Sequence, residues 1–526
     1  MLYMNDQVQT KPVRRVRARR RRAGSMAVRA DAAELKSQQP SALPAPALGS
    51  WQHVPFWVWL ATGVLASTSV LTANPALTAF SLGLLPVFAQ LLWRRGEPPV
   101  LFFACGMQWL QASLVIFYGN WAGLSLTAAF GGGELERATW LSLIGVLVLA
   151  FGMRIALLRA NKSMGPLARQ QIMTFSPPTL FNLYLVAFVG FYALGSVAFT
   201  VPRITQPLMA AMNLKWVLVC LLAYTVLEQR RHYGLLAVAV VLEFTLGLLG
   251  FFSTFKTVFL VLLVVVLTAT SAVDGRRFML AVLVAVALFT SGVAWTVVKA
   301  DYRDFLNQGT GEQEEYAPVD QRLQKLAELT GSLTWQSFAP AVENVVLRMS
   351  YVHYFALTIM NVPSKVPHEN GALWFDAIKR VVTPRLLFPS KSEIQDSLRT
   401  EKYTGEKVAG SEQGTSISLG YFAESYIDFG PVYMFVPIFL LGAFFGSIYR
   451  WFVIHGRFKA LGFALATAVL VFGAFRVETS NVKIVGGSVM TVIVFSLFSY
   501  AVGPPFLRWV SESARPIRLR RRGRTL

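Results

Sequence analysis

Apolar residues run along this chain in long blocks, and polar residues collect between them. The runs fall near residues 56–72, 76–93, 100–118, 138–158, 180–199, 214–226, 235–252, 258–271 and 278–297, then, after a gap, 432–449, 460–475 and 488–507. A bilayer crossing needs about 20 predominantly apolar residues in a helix, so the pattern predicts about twelve transmembrane helices. The runs at 214–226 and 258–271 are the shortest. The gap, residues 299–430, is the only long polar stretch. Within it, residues 318–335 place Leu323, Leu326 and Leu329 among Arg322, Gln324, Lys325 and Glu328, which predicts an amphipathic helix. Residues 340–360 predict a second helix, begun by Pro340 and apolar enough to dip into the membrane or pack on the bundle.

The predicted fold is therefore an all-α polytopic membrane protein with one long loop between the ninth and tenth spans. Its divisions are a basic tail at 1–55, nine spans at 56–298, the loop at 299–430, three spans at 431–507 and a second basic tail at 508–526. Composition agrees. Of 526 residues, 54% are hydrophobic and 15% charged, against about 25% charged in soluble domains.

Charge then sets orientation. The net charge is +21, yet residues 301–428 hold 17 of the 28 acids and only 12 Lys/Arg. Much of the remaining basic charge lies in the tails and in alternate connections: Arg94-Arg95, then Arg159, Lys162 and Arg169, then Arg230-Arg231, then Arg276-Arg277, then Arg450, Arg457 and Lys459, while the other short connections hold single residues such as Arg203 and Lys256. With the basic N-terminal tail inside, every cluster falls on the cytoplasmic side. Both termini are then cytoplasmic and the long loop extracytoplasmic. The Arg14–Arg22 run reads as a tail touching anionic lipid rather than nucleic acid, since no fold accompanies it. No short apolar segment with a small-residue cleavage site follows it, so no cleavable signal peptide is expected. Cys105 and Cys220 both lie in apolar runs, which leaves the loop without a disulfide framework or a thiolate metal site.

Charged groups in or beside spans are costly and mark candidate sites. Glu243 lies mid-run, where it is either a hydrogen-bonded structural group or part of a site. Lys256 opens the eighth run as an anchor or an anion ligand. Arg476 and Glu478 follow the eleventh. In the loop, Asn344, Arg348 and Tyr351 share one face of the predicted 340–360 helix. The guanidinium there presents a planar donor fork suited to a diphosphate. Arg380, Arg385, Lys391 and Arg399 surround Pro384 and Pro389, a candidate phosphate cradle in an otherwise acidic loop. Glu424 and Asp428 stand one helical turn apart just before the tenth run. Each is a candidate general base toward a hydroxyl, or else an acid favoured near a helix start. His353 and His368 show no metal-ligand spacing, and His353, flanked by tyrosines, is a weaker candidate base. No metal and no cofactor is expected.

Several spans, one long outer loop late in the chain, Pro384 and Pro389 with Lys391, and then Gly420, Glu424, Tyr426, Phe429 and Gly430 entering a span together resemble the Wzy-type oligosaccharide repeat-unit polymerases, which make O-antigen and exopolysaccharides. The local match covers about fifty residues. The resemblance implies a bacterial inner-membrane enzyme that joins undecaprenyl-diphosphate-linked repeat units at the periplasmic face, without metal or nucleotide sugar. A chain-length regulator and a flippase would be its partners. Carried onto this sequence, Arg348, Arg385, Lys391 and Arg476 bind the donor diphosphate, and Glu424 or Asp428 acts as base. Arg380, Arg399, Tyr426, His353, Glu243 and Lys256 are further candidates. The competing readings are an O-antigen ligase, with the same donor and a different acceptor, and a twelve-span transporter or flippase. The absence of an internal repeat and the charge concentrated in one loop weigh against the transporter.

Overall fold

The computed structural model describes residues 54–128, 133–160, 162–198, 204–250, 254–268, 275–309, 316–383, 388, 394–408 and 416–512. Among the described residues there are helices and no strand. In chain order the helices are α1 (Phe56–Thr68), α2 (Pro75–Leu92), α3 (Val100–Ala122), α4 (Glu134–Ala156), α5 (Gly165–Met173), α6 (Pro177–Ala198), α7 (Thr205–Met212), α8 (Leu214–Gln229), α9 (Tyr233–Leu249), α10 (Lys256–Thr268) and α11 (Gly275–Leu306). The polar stretch then contributes α12 (Val319–Gly331), α13 (Trp335–Met349), α14 (Val352–Asn361), α15 (Ala372–Val382) and α16 (Asp396–Thr404). The chain closes with α17 (Tyr421–Tyr433), α18 (Phe435–Tyr449), α19 (Lys459–Gly473), α20 (Asn481–Leu497) and α21 (Gly503–Glu512).

Every apolar run of the sequence coincides with a helix. Among the described residues, eight helical segments are long and apolar enough to cross a membrane, and four others are shorter apolar helices. The protein is an all-helical membrane protein. Three boundaries differ from the sequence pattern. The α11 helix passes the predicted end at Val297 and carries the first polar residues of the loop as far as Leu306. Helices α7 and α8 run on consecutively, so the weak 214–226 run becomes part of a segment of 25 residues. The α20 helix starts seven residues before the predicted 488, with Ser480 at its N-cap position, because the polar Asn481 and Lys483 are buried or paired in its first turn.

Two seams explain how the bundle closes. Helices α4 and α18 pack along their length, and glycines let their backbones touch. A Cβ at Gly152 would lie 2.2 Å from the Phe439 carbonyl, and one at Gly442 would lie 2.2 Å from that of Leu149. With lipid outside, helix association relies on such close packing rather than on hydrophobic burial. The second seam joins the polar stretch to the spans: α14 packs on α4, α15 on α20, and α13 on α3 and α11. The helices of the polar stretch are thus seated on the bundle.

One sequence expectation is corrected here. Pro340 does not begin the second loop helix but lies inside α13, and that helix ends at Met349, with α14 starting at Val352. Tyr351 therefore belongs to the junction, not to a continuous face with Asn344 and Arg348.

Candidate functional site

The segment from Gly420 to Gly430 forms α17 and places both candidate bases. Gly420 has φ +84° and a Cβ there would lie 2.5 Å from the Val477 carbonyl; Gly430, at φ +71°, kinks the chain into α18. These two left-handed positions are why glycine brackets the motif. Phe422 lies against Gly145 and Phe429 against Gly371. The Tyr426 hydroxyl donates to the Val362 carbonyl at 3.1 Å, while its ring meets Phe355 and His368 edge-on. Tyr426 thus fixes the helix in place, and His368 packs against it.

Glu424 is 1% exposed. Its Oε2 accepts the backbone N–H of Asn481 at 2.7 Å, at the first residue of α20. Its Oε1 accepts from Arg399 Nη1 at 3.3 Å. Burial pushes its carboxyl up to about 7, against the pull of Arg399 and of the Asn481 N–H. Asp428 is equally buried but differently held. Its two oxygens accept the backbone N–H groups of Leu373 at 3.0 Å and Trp374 at 2.8 Å, in the first turn of α15. Burial raises its carboxyl too, opposed by those two donors.

A chain of charges leads outward from Glu424. Arg399 reaches Asp376 at 3.5 Å, and Asp376 takes Arg380 Nε at 3.0 Å. Beside it, Asp396 is 1% exposed and binds Lys483 Nζ at 2.7 Å and the Ser480 hydroxyl at 3.3 Å. Neither amide atom of the buried Asn481 side chain nor Oδ1 of Asp396 has a hydrogen-bond partner. Such groups are rare in a folded interior and mark a place suited to a polar guest. Tyr351 stands nearby and donates to the Ser418 carbonyl. Burial, then Tyr354 and the acids Glu478, Asp396 and Glu424, push its phenol well above the ordinary value. Glu478 itself accepts from Gln111 Nε2 at 2.6 Å.

Of the sequence candidates, Glu424, Asp428, Arg380, Arg399 and Tyr426 come together. Arg476 is exposed on the turn between α19 and α20 that also carries Val477 and Glu478. His353 is exposed on α14, and Lys256 is exposed at the first residue of α10. Glu243 has its own partners, Lys215 at 2.8 Å and Tyr184 at 3.2 Å, none of which belongs to the cluster. Arg385 and Lys391, with Pro384 and Pro389, lie outside the described residues, as does the side chain of Arg348. Among the described residues, no group of three or more His, Cys, Asp and Glu is placed to hold a metal ion.

Sequence reasoning passed over Asp376, Asp396, Asn481 and Lys483. Asp376 did carry a signal, standing one helical turn before Arg380, whereas Asp396 is a single acid in an acidic loop with no local pattern. Asn481 and Lys483 lie ahead of the predicted start of the last span. Gln108 and Gln111 did carry a signal, as two amides three residues apart in an apolar helix. Gln108 bridges the Tyr421 hydroxyl and the Ala474 carbonyl, and Gln111 bridges Glu478 and the Val477 N–H.

The family described as a domain of unknown function, DUF8712, matches residues 146–485. That stretch contains Asp376, Arg380, Asp396, Arg399, Glu424, Asn481 and Lys483. No curated protein and no solved structure matches the chain.

Proposed function

The chain belongs to the DUF8712 family, and from its site we propose that it polymerises undecaprenyl-diphosphate-linked oligosaccharide repeat units at the periplasmic face of a bacterial inner membrane. The observation that carries this reading is the buried Glu424 carboxyl. It is held near neutrality between a guanidinium and a helix N-terminus, beside the unpartnered amide of Asn481. A general base works best with a pKa near the operating pH, and a buried amide with no partner offers an acceptor hydroxyl both a donor and an acceptor.

In this reading Glu424 takes the proton of the acceptor sugar hydroxyl. The oxygen forms a bond to the anomeric carbon of the donor, and the bond from that carbon to the lipid diphosphate breaks. The electron pair leaves with the diphosphate. Arg399 and Arg380 meet the developing charge, with Arg348, Arg385, Lys391 and Arg476 as further cations of the loop and the following turn. Asp428 holds α15 against α17 and takes no part in proton transfer. The topology that goes with the reaction has twelve spans, both tails cytoplasmic and residues 299–430 outside, because that arrangement puts every basic cluster on one side.

The test is the glycan profile of a strain lacking the protein. Single repeat units gathered on the lipid carrier, with polymer lost, support polymerisation. Polymer still made at normal length removes the reading. Polymer complete on its carrier but absent from its final acceptor points instead to a ligase.

A further inference from the structure

Between α7, α15 and the first half of α20 lies a cleft of about 470 Å³. Its position follows from the sequence of α20. Lys483, Gly487 and Met490 recur at helical spacing, and the two adjacent glycines leave that face bare of side chains. A Cβ at Gly487 would meet nothing within 4 Å. Lys483, in the first turn of α20, and Arg380, on α15, both line it, and no acid is among the described lining residues. Each cation is paired with a carboxylate outside the described lining: the buried Asp396 takes Lys483, and the half-exposed Asp376 takes Arg380. Along α20 beyond Lys483 the wall passes to Gly487, Met490 and Thr491, and the α7 side adds Met209 with the polar Gln206 and Asn213. The segment Asn481–Ser511 is among the most apolar candidate spans, so this part of the wall continues along a membrane-crossing helix.

We propose that this cleft seats a phosphate-bearing membrane lipid, with the phosphate between Arg380 and Lys483 and the hydrocarbon laid along Gly487 and Met490. A free anion uses only the two cations. A neutral lipid uses only the glycine face. The two features occur on one continuous wall, and an amphiphile with an anionic head satisfies both. The head is then linked to Glu424 through Arg380, Asp376 and Arg399, each ion-paired with the next. Which lipid arrives in the cell rests on the function proposed above; the binding itself does not.

The experiment uses the full chain in phosphatidylcholine nanodiscs with phosphatidic acid as the probe, and native mass spectrometry to count phosphatidic acid retained. Wild type retains it, and Lys483→Gln lowers retention about tenfold, as expected for one lost charge-assisted contact. Gly487→Leu, which keeps both cations and improves helix propensity, lowers it by at least as much by filling the cleft. Inorganic phosphate in excess leaves retention unchanged. Equal retention in wild type and both variants overturns the proposal, and so does full displacement by inorganic phosphate, which marks a free-anion site. Retention lost in Gly487→Leu while the deletion strain still makes normal polymer removes the transferase reading and leaves the lipid site standing. The reverse pattern removes the lipid site alone.

Discussion

Glu424 and Asp428 are one turn apart on the same helix, both about 1% exposed, and each carboxylate meets the first turn of a neighbouring helix. The seats nonetheless differ. Asp428 spends both oxygens on two adjacent N–H groups of α15. That is the arrangement by which a carboxylate caps a helix and complements its dipole. Glu424 takes only one N–H from α20, and its other oxygen goes to a guanidinium that also serves Asp376. Beside it stand an amide and a carboxylate oxygen with no partners. One carboxylate is therefore engaged by architecture, and the other is held near its titration point in a cluster with unused polar capacity. Both are carboxylic acids on one face of one helix; the neighbouring helix ends decide their roles.

Four substitutions or conditions break or sharpen this contrast. The largest effect belongs to Glu424→Gln. If Glu424 is the base, polymer formation falls by about 100-fold or more, whereas Asp428→Asn retains it at matched protein level. Equal losses in the two variants would erase the distinction.

Second comes pH. The Glu424 carboxyl has an ordinary value of 4.5 and is pushed to about 7 in the folded protein. Its protonated form is thus favoured on folding, so its contribution to stability is fully present below about 4.5 and is lost as pH rises through about 7. The swing is on the order of 3 kcal/mol. Unfolding midpoints of wild type in detergent should decline over that window relative to Glu424→Gln, while polymer formation rises through it as the base ionises. A flat difference between the two proteins contradicts the burial argument.

Third, Asp428→Asn should cost about 1–2 kcal/mol of stability, since an amide accepts one of the two N–H groups and turns a donor toward the other. Hydrogen exchange at Leu373 and Trp374 should quicken in that variant and stay unchanged in Glu424→Gln. The smallest effect is Tyr426→Phe, about 1 kcal/mol for the lost bond to the Val362 carbonyl, with pH dependence unaltered. A shifted pH profile would place Tyr426 in the proton path.

Much of the architecture was legible because a membrane helix advertises itself over about 20 residues of one-dimensional pattern. The pattern failed where a local exception was covered by a distant partner. Lys483 looks out of place at the head of a span until Asp396, 87 residues earlier, is seen at 2.7 Å. Pro340 looked like a helix start, but α13 begins at Trp335 and carries the proline within it. In the candidate site, the glycine-bracketed motif falls on α17. What it could not tell was that its glycines answer to backbone geometry, at φ +84° and +71°, and that Phe422, Tyr426 and Phe429 answer to packing. The chain of Arg399, Asp376 and Arg380 was half visible as a cation cluster. Its acid pairs with Arg380 one turn along the same helix, but its contact to Arg399 was not visible, because it joins helices that meet only in three dimensions.

The central claim is that Glu424 performs proton transfer while Asp428 performs architecture. The most direct measurement sizes the lipid-linked glycans in strains whose only copy carries Glu424→Gln or Asp428→Asn, at matched membrane abundance. Single repeat units accumulating in the first strain and polymer of normal length in the second is the predicted result. Normal polymer in the Glu424→Gln strain would contradict the account.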